Sequence, residues 1–140
     1  MKQYPSNLKF KKYHKVSLFY KRGNSSKNFT PQYGRYTIQS AEPSKITFKQ
    51  IESCRRTIKR GLKKEGILSI KLFTDKPIYK KSLASRMGKG KGNLSHWSAF
   101  LRTGQVLFEI SGLNFSRASY VLGKSKSKLP LKTNILKIIY

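Results

Sequence analysis

Thirty-one lysines and arginines share this chain with five aspartates and glutamates, leaving a formal net charge of +26. No compact fold can bury so many cations, because each would have to shed its hydration unpaired. The apolar residues must therefore gather in a few segments, leaving an exterior of one sign whose self-repulsion opposes compaction unless a polyanion offsets it. Nucleic acid, an acidic membrane surface and an acidic protein are the partners such a surface suits, and the full native state is expected on one of them. The 140 residues are still enough for one domain with a real core.

The aromatic residues narrow the choice. Eight tyrosines, eight phenylalanines and one tryptophan are interleaved with lysine and arginine, which suits stacking on bases as well as core packing. No apolar run approaches the ~18 residues of a membrane span, and no apolar segment of a secretory signal follows the basic start, so membrane insertion is not expected.

Catalytic chemistry finds no assembled site. The acids Glu42, Glu52, Glu65, Asp75 and Glu109 lie on separate segments, without the spacing of a metal or acid/base pair. Cys54 is the single cysteine, which excludes an internal disulfide and an all-cysteine metal site. A Cys54–His96 dyad would need an exposed thiol, whereas Cys54 falls on an apolar helix side; His14 lies far away in the N-terminal stretch. Gly123-Lys124-Ser125 matches the end of a phosphate-binding loop, but Ala118 stands where the first glycine is required. An enzyme is not expected, nor a cofactor or a bound metal.

Residues 1–32 read as an extended basic arm, with Lys9, Lys11, Lys12 and Lys15 among its cations, no acid and no hydrophobic period. It should order only against a partner; a targeting presequence is the competing reading, but such peptides are arginine-rich and helical. Residues 33–140 read as a single α+β domain of two layers. Tyr33 to Gln39 suggests a strand, with Tyr36 and Ile38 on one face, and Glu42-Pro43 ends it. Thr47 and Gln50 form a capping-box signature opening a helix, with Ile46 placed to staple onto Ile51. At 100° per residue Ile51, Cys54, Ile58 and Leu62 share one side, opposite Lys49, Arg56, Lys59, Arg60 and Lys63, with Glu52 the only anion on the cationic side. A solvated surface is the plain reading of such a face; phosphate contact is the other.

Gly66 is the expected C′ residue of this helix, followed by a strand from Ile67 to Phe73 and a turn at Asp75-Lys76-Pro77. His96–Arg102 and Gln105–Ser111 read as a β-hairpin around Thr103-Gly104. Asn114 can cap a second helix whose later half, Gly123 to Lys128, has poor helix propensity and is expected to fray; Leu131 to Tyr140 suggests a closing strand. One early and one late helix among strands indicate α+β with antiparallel or mixed sheet, not a doubly wound parallel sheet. A protruding loop over 78–95 carries Ser85-Arg86-Met87-Gly88-Lys89-Gly90-Lys91-Gly92-Asn93. Its three alternating glycines remove Cβ atoms and permit positive φ, so the backbone can lie against another surface, and its cations make that surface anionic. A solvated loop is the alternative.

Several stretches together resemble the L-sixteen family of large-subunit ribosomal proteins in its bacterial and organellar form. They are Lys9 to Lys15, Tyr33 to Gln39, Ile46-Thr47 with Gln50-Ile51-Glu52 and Arg55-Arg56, Asp75 to Ile78, Arg86 to Asn93, Trp97, Gly104 to Glu109 and Lys128 to Thr133. The resemblance implies a hammerhead-type α+β fold, and a structural role in the large subunit with late entry into its assembly. It implies rRNA contacts from the arm and the basic helix, through Lys9, Lys11, Lys12, His14, Lys15, Arg35, Lys49, Arg55, Arg56, Lys59, Arg60 and Lys63. Arg86, Met87, Gly88, Lys89, Gly90, Lys91 and Gly92 would reach toward tRNA and the peptidyl transferase region. Large-subunit rRNA, tRNA and neighbouring ribosomal proteins are the implied partners; a free RNA-binding regulator or RNA chaperone is the alternative. Val16 to Pro31, and Ser119, Gly123, Ser125 and Ser127, depart from the family's usual pattern. Lysine, isoleucine, phenylalanine, tyrosine and asparagine, the types with AT-rich codons, fill 56 of 140 positions. That bias fits an organelle-encoded copy, mitochondrial ahead of plastid.

Overall fold

The computed structural model describes residues 3–9, 12–14, 23–25, 28–88 and 90–138. The elements run β1 (Tyr36–Ser40), β2 (Ser44–Thr47), α1 (Phe48–Leu62), β3 (Ile67–Ile70), β4 (Lys76–Lys80), β5 (Asn93–Leu101), β6 (Val106–Ser111), α2 (Phe115–Lys126) and β7 (Thr133–Lys137). They form two antiparallel sheets, ordered β3-β6-β1-β7 and β2-β5-β4, so the α+β expectation holds.

The first sheet presents its apolar residues in rows. Leu68, Ile110 and Tyr36 pair across three strands, and Ile70, Phe108, Ile38 and Ile135 across four. These rows share one core with Ile51, Cys54, Ile58 and Leu62 of α1 and Ala118, Val121 and Leu122 of α2. Each fully buried aliphatic side chain of this kind contributes roughly 1.5–3 kcal/mol. Between Ile38 and Gln39 the register with β6 jumps from Phe108 to Val106, a bulge at Leu107 that keeps this residue fully buried.

The capping box is present as read. The Thr47 N–H donates to Gln50 Oε1 (2.9 Å), and the Gln50 N–H reaches back to Thr47 Oγ1 (3.4 Å). Ser44–Thr47, however, is a short strand with no counterpart in the sequence reading. Its pairing with β5, Ile46 opposite Ala99, supplies the buried Ile46 to the core.

Four expectations are corrected. The hairpin does not form: β5 pairs with β2 and β4, while β6 lies between β3 and β1 in the other sheet. All of Val106 to Ile110 is buried, so β6 needs a neighbour on both sides, and the Arg102–Gln105 turn carries the chain from one sheet to the other. Pro77 is not in a turn but inside β4, where an edge strand tolerates its missing N–H. Helix α1 ends at Leu62 with Lys63 at φ 54°, so Gly66 is not its C′ residue. Gly66 instead opens β3 at φ +78°, where a Cβ would stand 2.8 Å from the Ser111 carbonyl oxygen. The later half of α2 does not fray before Lys126, because Val121, Leu122 and Ser125 are buried. The Ser125 hydroxyl donates to the Leu122 carbonyl (2.7 Å), and the Ser125 carbonyl faces the Cys54 thiol at 3.7 Å.

The helices approach closely at Gly61, where a Cβ would lie 2.7 and 2.8 Å from the two Val121 methyls. Gly61→Val should therefore lower unfolding free energy in urea by about 2 kcal/mol through overpacking. The same substitution in a Val121→Ala background should cost clearly less.

Candidate nucleic-acid interface

Helix α1 is positioned by its buried stripe, which turns the opposite side outward. Lys49, Arg56, Lys59, Arg60 and Lys63 are all exposed. Arg55 is half-buried and tied to Glu52 by two hydrogen bonds, Nε to Oε2 at 2.8 Å and Nη2 to Oε1 at 2.7 Å. Arg56 Nε donates to the same Oε1 at 3.0 Å. The hydrogen-bonded Arg55 guanidinium, helped by Arg56, holds the Glu52 carboxyl at about 2, well below its ordinary 4.5. A shallow groove runs along this face, with Lys49, Arg56 and Arg60 on its walls.

Strand β2 adds a cation that periodicity missed. Lys45 is exposed just ahead of the helix, and His96 on β5 is held below its usual range by burial and by the charges of Lys45 and Lys49. The alternation of Lys45 with Ile46 was the available signal, masked by the preceding proline. In the arm, Lys9, Lys12 and His14 are exposed, while Lys11 and Lys15 lie outside the described residues. Arg35 is exposed at the junction of arm and body, and its carbonyl accepts the Ile138 N–H at 2.9 Å.

Described parts of the arm lie against the body. The Ser25 N–H donates to the Thr103 carbonyl (2.9 Å), the Val106 N–H to the Asn28 carbonyl (2.8 Å), and Tyr4 stacks on Trp97 with centroids 6.0 Å apart. The two backbone hydrogen bonds fall at the turn before β6 and at its first residue.

The glycine loop is a narrow excursion. Strands β4 and β5 take up residues 76–80 and 93–101, Lys80 pairing with Asn93, so the loop proper is 81–92 and not 78–95. Gly88 (φ +96°) and Gly90 (φ +75°) use the conformations glycine permits. Gly92 serves differently, by close approach: a Cβ there would meet the Lys80 backbone at 2.6 Å. Arg86 is exposed, Met87 is 99% exposed, and Lys89 lies outside the described residues. Lys81 Nζ donates to the Gly88 carbonyl, and Lys91 Nζ sits 4.5 Å over the Tyr79 ring, so the loop's base is braced and its tip presented.

Nucleophilic chemistry has little support in this geometry. Cys54 is fully buried, and burial pushes its thiol up to about 11. Among the described residues no helix is long and apolar enough to cross a membrane, and no His/Cys/Asp/Glu group could hold a metal ion.

The fold and this surface define a small α+β protein with a cationic exterior and a projecting glycine-lysine loop. Residues 5–136 match the family described as Ribosomal protein L16p/L10e. The chain is 41% identical over 129 residues to the large ribosomal subunit protein uL16 of Buchnera aphidicola subsp. Cinara cedri, covering 92% of each. It is 43% identical over 116 residues to uL16 of Fusobacterium nucleatum, covering 83% of this chain and 81% of the relative. It is 41% identical over 132 residues to uL16c of Cyanidium caldarium, covering 94% and 92%. The chain belongs to the L16p/L10e family of ribosomal proteins, which are structural and not enzymes.

The Glu52 cluster makes a pH prediction. A carboxyl depressed in the folded state contributes stability above its ordinary value of 4.5 and loses it as pH falls through about 2. Thermal unfolding from pH 5 to 2 should therefore fall more steeply for the parent than for Glu52→Gln. The difference should stay below about 1 kcal/mol, because Arg56 is exposed and Arg55 only half-buried, so solvent screens the cluster.

Proposed function

We propose that the protein is a structural constituent of the large ribosomal subunit that binds rRNA and helps shape the aminoacyl-tRNA site, joining the subunit late in its assembly. The family membership supports the ribosomal role, and the names of its relatives support the large subunit. The observation that carries the rRNA reading is the exposed cationic face of α1, held outward by a fully buried apolar stripe. Lys49, Arg55, Arg56, Lys59, Arg60 and Lys63, with Lys9, Lys11, Lys12, His14, Lys15 and Arg35, neutralise phosphates. RNA affinity should then fall with salt at a log-log slope of roughly −0.7 to −0.9 per contact.

The domain plan is a basic arm over residues 1–32 serving rRNA, a body over 33–140, and a loop directed at tRNA near the peptidyl transferase centre. Arg86, Met87, Gly88, Lys89, Gly90, Lys91 and Gly92 form the tip. Neighbouring subunit proteins complete its surroundings. The ribosome is that of an organelle, the mitochondrion ahead of the plastid; the residue bias supports an organelle, and the similarity to uL16c of Cyanidium caldarium keeps the plastid as the alternative.

Alanine at Arg86, Lys89 and Lys91 together should leave incorporation into large subunits intact, because the tip makes few of the contacts. The resulting particles should be slower in peptide synthesis or tRNA accommodation, measured on purified ribosomes. Full activity in those particles would remove the loop from the mechanism.

A further inference from the structure

Where the arm enters the body, Glu109 of β6 is fully buried and its carboxylate accepts three successive backbone N–H groups. They come from Gln32 (3.2 Å), Tyr33 (2.7 Å) and Gly34 (3.0 Å). Gly34 allows the approach, since a Cβ there would lie 2.7 Å from Glu109 Cβ. Lys71 joins the cluster. Its Nζ stands 3.7 Å from Glu109 Oε1, donates to Gln32 Oε1 at 2.7 Å, and lies 4.1 Å over the Tyr33 ring.

This arrangement holds the Tyr33 backbone at a fixed point while leaving the residue 70% exposed. Burial of apolar area cannot be what placed the ring there. An ammonium group stands 4.1 Å over the ring, and most of the residue is open to solvent. Beside it lies a notch of about 400 Å³, with Tyr33 and Arg35 on one wall and the Gly112–Asn114 turn on the other. Among the described residues no carboxylate lines the notch, and Glu109 beneath it is already occupied by backbone donors, so the notch takes its positive sign from Arg35, with Lys71 over the adjoining Tyr33 ring. A flat π-system bearing negative charge complements that combination better than an apolar side chain does.

We propose that this notch receives one unstacked nucleotide of RNA, its base stacked on Tyr33 and its phosphate directed toward Arg35. The proposal rests on the rRNA-binding reading and adds to it a site outside the helix face and the loop. Glu109 and Lys71 act on it as positioning residues: one fixes the backbone beneath the ring, the other orients the ring.

The test measures binding of the purified chain to in vitro transcribed cognate large-subunit rRNA over a salt series, with chemical probing of the RNA at nucleotide resolution. Tyr33→Ala should weaken binding roughly tenfold, as loss of one base stack does, with the salt slope unchanged because the ring carries no charge. Tyr33→Phe should bind within about twofold of the parent and Tyr33→Leu should resemble Tyr33→Ala, since stacking needs the π-face and not the hydroxyl or the bulk. One nucleotide protected by the parent should regain reactivity with the alanine variant. Parent-like binding by Tyr33→Ala, or equal binding by the leucine and phenylalanine variants, would overturn the stacking site while leaving rRNA binding intact. Unchanged RNA affinity combined with lost incorporation into subunits would overturn it in favour of a protein contact at Tyr33. Absence of RNA binding by the parent would overturn both readings. Exposure of Tyr33 keeps these variants folded, which circular dichroism checks.

Discussion

A carboxylate with no exposed surface is an expensive thing to bury, and in this chain Glu109 is buried completely. Its charge is met mainly by backbone: three N–H dipoles from residues 32–34 converge on it, with Lys71 at the longer distance of 3.7 Å. Charged hydrogen bonds of this kind are worth roughly 1.5–3 kcal/mol each, and leaving the carboxylate unmet would cost several. The approach of the arm to the sheet is thereby fixed at one place, at the central strand β6. From that point β1 can run antiparallel to β6 and receive β7 on its other side.

The remaining acids follow the same logic of local fastening. Glu42 accepts the Lys132 N–H at 3.0 Å, joining the ends of β1 and β7. Glu52 gathers Arg55 and Arg56 on the face of α1, Glu65 pairs with Arg117 of α2, and Asp75 lies 3.2 Å from Lys76 at the start of β4. With five acids in 140 residues, each is engaged in holding elements together or ordering neighbouring cations. Five dispersed fasteners leave most of the cations outward-facing, the condition a polyanion-binding exterior needs.

Helix α1 was the most legible element, since a capping box and a 3.6-residue period agree on its start, its buried stripe and its cationic side. The glycine loop was legible in kind, because alternating glycine and lysine cannot pack. Its limits were not, since β4 and β5 reach further along it than the residue types indicate. The supposed hairpin shows where local reading stops. Two apolar stretches around Thr103-Gly104 satisfy every short-range rule, yet each finds its neighbours elsewhere, because β6 is buried from Val106 to Ile110 and its backbone needs pairing on both edges. Likewise the serines late in α2 argued for fraying until Ser125 proved to be buried, with its hydroxyl satisfied within the helix.

Sequence by itself determined the sign of the surface, the family, the existence of both helices and the residues that α1 turns inward, since charge and periodicity are properties of neighbouring residues along the chain. Only the tertiary structure decided that residues 93–101 and 106–111 belong to different sheets. It alone also brought Glu109 to the backbone of residues 32–34 and left the Tyr33 ring outward beneath Lys71. Those pairings join groups some forty to eighty positions apart, and a contact of that range depends on how all the intervening elements pack, which no local pattern encodes.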